Sequence, residues 1–168
     1  GCSTTITTLV NEPPALIKTI DAITDIRCYG DSTGAIHVTA LEGSGPYDFE
    51  WSNVAKTADI SNLTAGKYTL KITESNGCVS QLEATVEQPS SFITKLDKVT
   101  DVNCFGDITG AIDISVNGGV EPYVFAWSNG SSTEDIKDIA ADNYTAMITD
   151  ANGCLNTLNA IVKQPTEL

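Results

Sequence analysis

An internal repeat of 76 residues constrains what this chain can fold into more than any other feature of its sequence. Without a gap, 34 of the 76 positions are identical between residues 14–89 and 90–165. The recurring motifs are Cys28-Tyr29-Gly30-Asp31 with Cys104-Phe105-Gly106-Asp107, Trp51-Ser52-Asn53 with Trp127-Ser128-Asn129, and Asn76-Gly77-Cys78 with Asn152-Gly153-Cys154. Self-similarity of this kind indicates one structural unit copied in tandem.

The two ends of the chain extend the same scheme. Gly1-Cys2 aligns with Gly77-Cys78, and Pro13 aligns with Pro89. We therefore expect a piece of a longer array. Its expected parts are the last strand of a preceding repeat, two whole β-sandwich repeats and the start of a following repeat, over residues 1–13, 14–89, 90–165 and 166–168.

Apolar and polar residues alternate along most of each repeat, which is the pattern of a strand with one buried face. Strands are predicted over residues 16–24, 34–41, 47–52, 57–62, 67–74 and 78–87, and again 76 residues further on. Asn76-Gly77 predicts a type I′ hairpin turn. The predicted fold class is all-β, with two tandem immunoglobulin-like antiparallel β-sandwich repeats of 76 residues.

The recurring aromatic residues fit the interior of such a sandwich. Trp51 and Trp127 lie on the same strand face as other aromatic rings, so we expect core residues and not a sugar-stacking platform. Tyr68 and Tyr144 each follow a short turn, as the tyrosine of a tyrosine corner does. These four residues are the predicted structural core, and no stripe of exposed aromatic rings is evident.

Charge and composition exclude several classes of function. The 22 acidic and 9 basic residues give a net charge of −13, which repels phosphate backbones, so no nucleic-acid partner is expected. No run of eighteen apolar residues is present, so no transmembrane helix or membrane insertion is expected. The single histidine, His37, becomes Asp113 in the second repeat, so a Ser-His-Asp or Cys-His site cannot recur. We expect a protein that is not an enzyme.

The five cysteines allow two pairings that respect the repeat. One joins Cys28 to Cys78 and Cys104 to Cys154, with Cys2 pairing upstream; the other joins Cys2 to Cys28 and Cys78 to Cys104. Four strands are predicted between Cys28 and Cys78, an even number that returns the chain to the same end of a sandwich. The first pairing is therefore preferred, with buried free thiols as the alternative. The same parity puts both ends of a six-stranded repeat together, which suits a straight rod poorly. No CxxC motif accompanies the cysteines to suggest zinc.

Recurring acidic residues flank the cysteine motifs. If each repeat holds its own disulfide, they gather at one end, where carboxylate oxygens could hold Ca²⁺. The candidate ligands are Asp25, Asp31, Asp101, Asp107 and Asp150, with Glu74 in the place of Asp150 in the first repeat. Capping of loop amides by Asp explains the same pattern, and no DxDxDG loop is present. No metal or cofactor is therefore expected, and calcium is the secondary hypothesis.

The combined motifs resemble the SprB-type repeats of very large surface adhesins in gliding bacteria of the Bacteroidota. They are Cys-Tyr/Phe-Gly-Asp-x-Thr-Gly-Ala-Ile, Gly-x-x-Pro-Tyr-x-Phe-x-Trp-Ser-Asn, Ala-Gly/Asp-x-Tyr-Thr, Asn-Gly-Cys and Val-x-Gln-Pro. The copies differ at turn positions, among them Val54 in place of Gly130. The resemblance implies export to the bacterial cell surface, commonly by the type IX system, tandem display, and roles in adhesion and gliding motility.

The expected function is that of a structural and adhesive module in the stalk of an extracellular adhesin or filament. Its expected partners are neighbouring repeats of the same chain, with surface glycans or like filaments as further candidates. Two alternatives stay open. One is a glycan- or receptor-binding module, which a matched cluster of exposed residues in both repeats would favour. The other is self-assembly into a fibre.

Overall fold

The computed structural model describes residues 2–9 and 12–167, and within these residues every regular element is a β-strand. The first six strands are β1 Leu16–Thr24, β2 Gly34–Glu42, β3 Tyr47–Trp51, β4 Ile60–Leu63, β5 Gly66–Glu74 and β6 Val79–Val86. The second six are β7 Ile93–Thr100, β8 Gly110–Asn117, β9 Val124–Trp127, β10 Ile136–Ile139, β11 Asp142–Thr149 and β12 Leu155–Val162. The predicted all-β fold class is confirmed.

The chain forms two compact units that divide it differently from the sequence repeats. Unit 1 comprises the described residues up to Asp25 together with Thr33–Val86. Unit 2 comprises Ile26–Ser32 together with the described residues from Glu87 onward. Residues 26–32, which we call the docked loop, thus come from the first sequence repeat but belong to the second compact unit.

Each unit contains two three-stranded sheets. In unit 1 their strand orders are β1-β2-β4 and β3-β5-β6, and in unit 2 they are β7-β8-β10 and β9-β11-β12. Every pairing is antiparallel. The alternating apolar residues of the strands supply the inner faces of both sheets: Ile112 of β8 and Ile148 of β11 are fully buried, as are Ile36 of β2 and Ile72 of β5.

The four aromatic residues singled out in the sequence occupy equivalent places in the two units. Trp127 is buried, and its indole Nε1–H donates to the carbonyl oxygen of Thr133 at 2.9 Å. The Tyr144 hydroxyl donates to the carbonyl oxygen of Ala140 at 3.0 Å, four residues upstream. Trp51 and Tyr68 make the matching bonds to Thr57 and Thr64, each at 2.9 Å. Tyr68 is half-buried and the other three rings are buried, and each of the four satisfies its polar atom, as buried Trp and Tyr require.

Strand direction in unit 2 differs from what the number of strands suggests. The N–H of Ala151 donates to Val120 at 2.8 Å, which places the end of β11 beside the end of β8. Since β9 is antiparallel to β11 and β10 is antiparallel to β8, the consecutive strands β9 and β10 run the same way. The connection between them changes sheets without reversing direction, so six strands do not return the chain to its starting end.

We call the end of unit 2 where β7 begins its proximal end, and the opposite end its distal end. The turns after β8 and β11 lie at the proximal end. At the distal end the N–H of Val102 donates to Lys163 at 2.8 Å, so β7 and β12 finish side by side. The chain enters the sandwich at one end and leaves it at the other.

The predicted strand of a preceding repeat is absent from residues 2–9, which are exposed and belong to no regular element. Residues 10 and 11 of that prediction lie outside the described residues. The equivalent strand of the next copy, β6, is held by β5, which precedes it in the same repeat.

The hairpin turn at Asn76-Gly77 is of another type than predicted. A type I′ turn needs positive φ at both central residues, whereas here Gly77 has φ 86° and Asn76 does not share it. The N–H of Gly77 donates to the carbonyl oxygen of Glu74 at 2.9 Å, and the N–H of Glu74 donates to that of Cys78 at 2.9 Å. The result is a three-residue loop that ends in a left-handed glycine.

The differing turn position after β3 gives a matched pair of stability predictions. Val54 has φ 65° and is 83% exposed, while its equivalent, Gly130, has φ 86°. A β-branched residue is strained in this region. We expect Val54→Gly to raise, and Gly130→Val to lower, the free energy of unfolding by about 1 kcal/mol each. Urea unfolding measures both, and equal signs for the two variants would contradict the shared turn geometry.

Candidate functional site at the proximal end of unit 2

A disulfide joins Cys28 of the docked loop to Cys154 of the turn after β11. Their Cα atoms are 5.6 Å apart, although 126 residues separate them in sequence. Cys2, Cys78 and Cys104 are exposed free cysteines. Both pairings considered from the sequence are therefore wrong: Cys28 bonds neither Cys78 nor Cys2, but the Asn-Gly-Cys cysteine of the next repeat.

Strand direction explains why a repeat does not close on its own cysteines. Cys154 lies at the proximal end of unit 2, whereas Cys104 follows β7 at the distal end. The eight residues of β7 span about 25 Å at 3.3 Å per residue, whereas bridged Cα atoms lie within about 7 Å. Because β9 and β10 run in the same direction, an even number of strands between two cysteines does not bring them to the same end of the sandwich.

The docked loop is held by the residues that lead into β7 as well as by the disulfide. The N–H of Ile26 donates to the carbonyl oxygen of Glu87 at 2.9 Å. The N–H of Gly30 donates to Oε1 of Gln88 at 3.0 Å. A main-chain bond and a side-chain bond thus fix the loop on both sides of Cys28.

Arg27 and Asn152 form a reciprocal pair beside the disulfide. The Arg27 guanidinium Nη2 donates to the carbonyl oxygen of Asn152 at 2.8 Å. In return, the Asn152 amide Nδ2 donates to the carbonyl oxygen of Arg27 at 2.8 Å. Each residue thereby recognises the backbone of the other, which sets the register of the loop against the turn.

Asp150 organises the turn that presents Cys154. Its carboxylate is 4% exposed, and Oδ1 accepts the N–H groups of Asn152 at 2.9 Å and Cys154 at 2.8 Å. Oδ2 accepts the N–H of Val120 at 3.0 Å, which ties the turn to the end of β8. A buried carboxylate is tolerated when such donors satisfy it. Asp150 therefore acts as a structural anchor for the cysteine turn.

Three residues of this site were not predicted from the sequence: Arg27, Asn152 and Gln88. The sequence gives no indication that Arg27 belongs to the site, because Asn103 replaces it in the second repeat. Gln88 recurs as Gln164, but a Gln-Pro pair after a strand indicates only where that strand ends. Its partner, the glycine of the Cys-x-Gly-Asp motif, recurs with it.

The acidic residues proposed as weak calcium ligands do not gather at one end. Asp101 lies at the distal end of unit 2, where its Oδ1 accepts the N–H of Lys163 at 2.8 Å, while Asp150 lies at the proximal end. Asp31 and Asp107 each donate a main-chain N–H to the cysteine carbonyl three residues earlier, at 3.1 Å. No group of three or more His, Cys, Asp or Glu suited to a metal occurs within residues 2–9 and 12–167.

Because three backbone amides already occupy the Asp150 oxygens, we expect calcium not to stabilise the protein. A ligand that binds only the folded state raises the Tm, whereas an ion that does not bind leaves the Tm unchanged. Melting in millimolar CaCl₂ and in EDTA should therefore give Tm values within about 1 °C of each other. A clear fall on chelation would restore the calcium hypothesis.

His37 contacts Asp59, and the equivalent aspartate of the second repeat keeps its main-chain hydrogen bond although the histidine is absent there. Its Nδ1 lies 3.3 Å from Oδ2 of Asp59, and Oδ1 of Asp59 accepts the N–H of Val38 at 3.0 Å. The Val38 bond and then His37 lower the pKa of Asp59. In the second repeat Asp135 accepts the equivalent N–H at 2.9 Å, although Asp113 replaces the histidine. The shared role is therefore that of the aspartate.

Each repeat also exposes one aromatic ring beside its cysteine, which the sequence did not suggest. Tyr29 is 56% exposed and Phe105 is 50% exposed. Tyr29 lines a shallow groove around the disulfide together with Ser91 and Phe92. These rings belong to the cysteine loops and form no stripe along a sheet.

The fold and the site together define a class: tandem immunoglobulin-like β-sandwich modules in which a disulfide links one sequence repeat to the next. The family model for the SprB repeat matches residues 20–56 and 96–132, one match in each sequence repeat. The chain therefore carries two SprB-type repeats, as the sequence motifs indicated. It is a tandem repeat module of a surface or adhesion protein.

Among solved structures, the chain is similar to the three N-terminal domains of the bacteriophage RB49 highly immunogenic outer capsid protein, with 13% identity, a TM-score of 0.48, and coverage of 88% of this chain and 59% of that one. It is also similar to the N-terminal eight immunoglobulin domains of Down syndrome cell adhesion molecule, with 10% identity and a TM-score of 0.45. The match covers 90% of this chain and 25% of that one. The insect immune protein hemolin is similar at 14% identity with a TM-score of 0.43, and the match covers 93% of this chain and 49% of that one. The chain thus spans less than two thirds of each of these structures.

A search of curated protein sequences finds no match to this chain. Within the residues that the structure describes, no helix has the length and apolar character needed to cross a bilayer.

Proposed function

We propose that this chain is part of the stalk of an extracellular surface adhesin and acts mechanically, in adhesion and gliding motility, and not as an enzyme. The observation that carries the proposal is the Cys28–Cys154 disulfide, which fastens a loop of one repeat to a turn of the next. Disulfides persist in oxidising compartments and are rare in the cytosol. This favours display outside the cell.

The path of the chain through unit 2 suits a stalk. Because the chain enters unit 2 at the proximal end and leaves it at the distal end, the two ends of this unit are separated by about the length of its strands. Eight residues of β11 correspond to about 25 Å. The net charge of −13 supports the same role, since like charge opposes collapse of units onto one another.

The partners that fit this function are neighbouring repeats of the same kind. The docked loop contacts the turn of the next repeat through the disulfide and through the reciprocal bonds of Arg27 and Asn152, so one repeat binds its neighbour directly. The mechanism requires no cofactor. Load is carried by folded sandwiches and by the covalent link between repeats.

Surface display is tested with an antibody raised against the recombinant chain. It should label intact cells of the organism that encodes the protein, and brief protease treatment of those cells should remove the label. Labelling that requires permeabilised cells would refute the extracellular role. For motility, deletion of the gene should reduce cell spreading and attachment, whereas unchanged spreading would confine the function to adhesion.

A further inference from the structure

The loop around Cys104 at the distal end of unit 2 has the same local form as the docked loop. The N–H of Val102 donates to Lys163 at 2.8 Å, and the N–H of Gly106 donates to Oε1 of Gln164 at 2.9 Å. These bonds match the two that hold the docked loop. The thiol of Cys104 is nevertheless free and exposed. The distal loop is thus preformed in the geometry that carries a disulfide elsewhere in the same chain.

The turn that carries Cys78 in unit 1 matches the turn that carries Cys154. In both, the glycine N–H donates to the acidic residue three positions earlier at 2.9 Å. The N–H of that acidic residue in turn donates to the carbonyl oxygen of the cysteine, at 2.9 Å for Glu74 and 3.0 Å for Asp150. Cys78 is also free and exposed.

The two turns differ in the asparagine that recognises the loop. Asn152 donates its Nδ2 to the docked loop, whereas the Nδ2 of Asn76 donates to Oγ of Ser44 at 3.1 Å. The Oδ1 of Asn76 accepts the N–H of Cys78 at 2.9 Å. Asn76 therefore satisfies itself within unit 1, in the place where Asn152 binds a loop.

We propose that Cys104 and Cys78 are the complementary halves of further disulfides of the Cys28–Cys154 kind. Cys104 bonds the Asn-Gly-Cys cysteine of another repeat copy, and Cys78 bonds the Cys-x-Gly-Asp cysteine of another copy. A second molecule of this chain supplies both partners, so chains join head to tail. The new bond reproduces the asparagine contact, with Asn76 donating to the carbonyl oxygen of Asn103. The Arg27 contact is not reproduced, because Asn103 replaces that side chain.

The oxidation is balanced with a small disulfide such as oxidised glutathione. The Cys104 thiolate attacks one sulfur of the glutathione disulfide and releases one glutathione thiolate. The Cys78 thiolate of the second chain then attacks the Cys104 sulfur of the mixed disulfide and releases the other. Two protein thiols and one oxidised glutathione thereby become one protein disulfide and two reduced glutathione molecules.

The test uses two variants that each keep Cys28–Cys154 and one further cysteine. C2S/C78S retains Cys104, and C2S/C104S, carrying a tag of different mass, retains Cys78. Ellman's reagent should titrate one thiol in each. The variants are mixed in equal amounts in a glutathione redox buffer and analysed by non-reducing electrophoresis and peptide mapping.

We expect the Cys104–Cys78 heterodimer to exceed either homodimer at least about tenfold, because complementary surfaces favour it. Random thiol oxidation would give only about twice as much heterodimer as either homodimer, and that result would overturn the proposal. Failure to form any dimer, or an unreactive thiol in either variant, would overturn it as well. This proposal rests on the proposed function of the chain as part of an extracellular stalk. A negative result here nevertheless leaves surface labelling untouched, and absence of surface labelling leaves the pairing untouched.

Discussion

When a molecule is pulled from its two ends, its maximum extension should be about four times as great after reduction of the Cys28–Cys154 disulfide as before. While the bond is intact, the chain that it encloses bears no force and cannot extend. The bond encloses 126 residue steps, which correspond to about 430 Å of extended chain. Only 27 residues precede Cys28 and 14 follow Cys154, or about 140 Å in all. The disulfide, and not the fold alone, is therefore expected to set the greatest length.

The experiment is single-molecule force spectroscopy on C2S/C78S/C104S, which keeps this one disulfide and no other thiol. Oxidised molecules should reach their limit after the short extension. Molecules treated with a reductant should show an added contour length near the enclosed value. Adding C28S and C154S to the same background should give the long extension without reductant. A full extension of oxidised molecules would show that the bond does not form in solution.

The placement of the disulfide determines which part of the chain carries the load between repeats. A disulfide closed within each repeat would protect each sandwich and leave the segment between sandwiches to carry the load. A bond from a loop of one repeat to a turn of the next also protects the connection. Since the distal loop and the proximal turn recur in each copy, a longer array can repeat the bond along its length.

Alternation along the chain was sufficient to predict the strands because each strand buries one face. The strand expected over 34–41 is observed as Gly34–Glu42, and that expected over 67–74 as Gly66–Glu74. The strand expected over 57–62 begins only at Ile60, because the preceding residues turn. There the carbonyl oxygen of Thr57 accepts the indole N–H of Trp51. That displacement depends on a tertiary contact that periodicity does not record.

The disulfide could not be predicted in the same way, since it depends on strand direction. Two consecutive strands in different sheets can run parallel or antiparallel with the same residues facing inward. Only the pairing of β9 with β11 and of β10 with β8 decides the direction. The recurring motifs indicated that their cysteines pair, but three-dimensional connectivity was needed to show which copies meet.

Loss of the Cys28–Cys154 bond should also cost unit 2 a large part of its stability. A cross-link restricts the unfolded chain, and in the chain-entropy model a loop of 126 residues corresponds to about 5 kcal/mol. Because part of that loop folds as unit 1, the constraint on unit 2 is smaller than for a wholly unfolded loop. We expect a loss of about 2–5 kcal/mol for C28S/C154S. For a unit of this size, that loss lowers the Tm by at least about 10 °C.

Trp127 reports on this transition separately, because it is buried in unit 2 and the other tryptophan, Trp51, is buried in unit 1. In a Trp51→Phe background, the fluorescence melt of Trp127 should shift down when Cys28 and Cys154 become serine. The matched control replaces Cys78 and Cys104, which occupy the same motif positions but are exposed and unbonded. Their removal should leave the melt of a monomeric sample unchanged. An equal shift in both double variants would mean that the cysteine side chains, and not the covalent bond, stabilise unit 2.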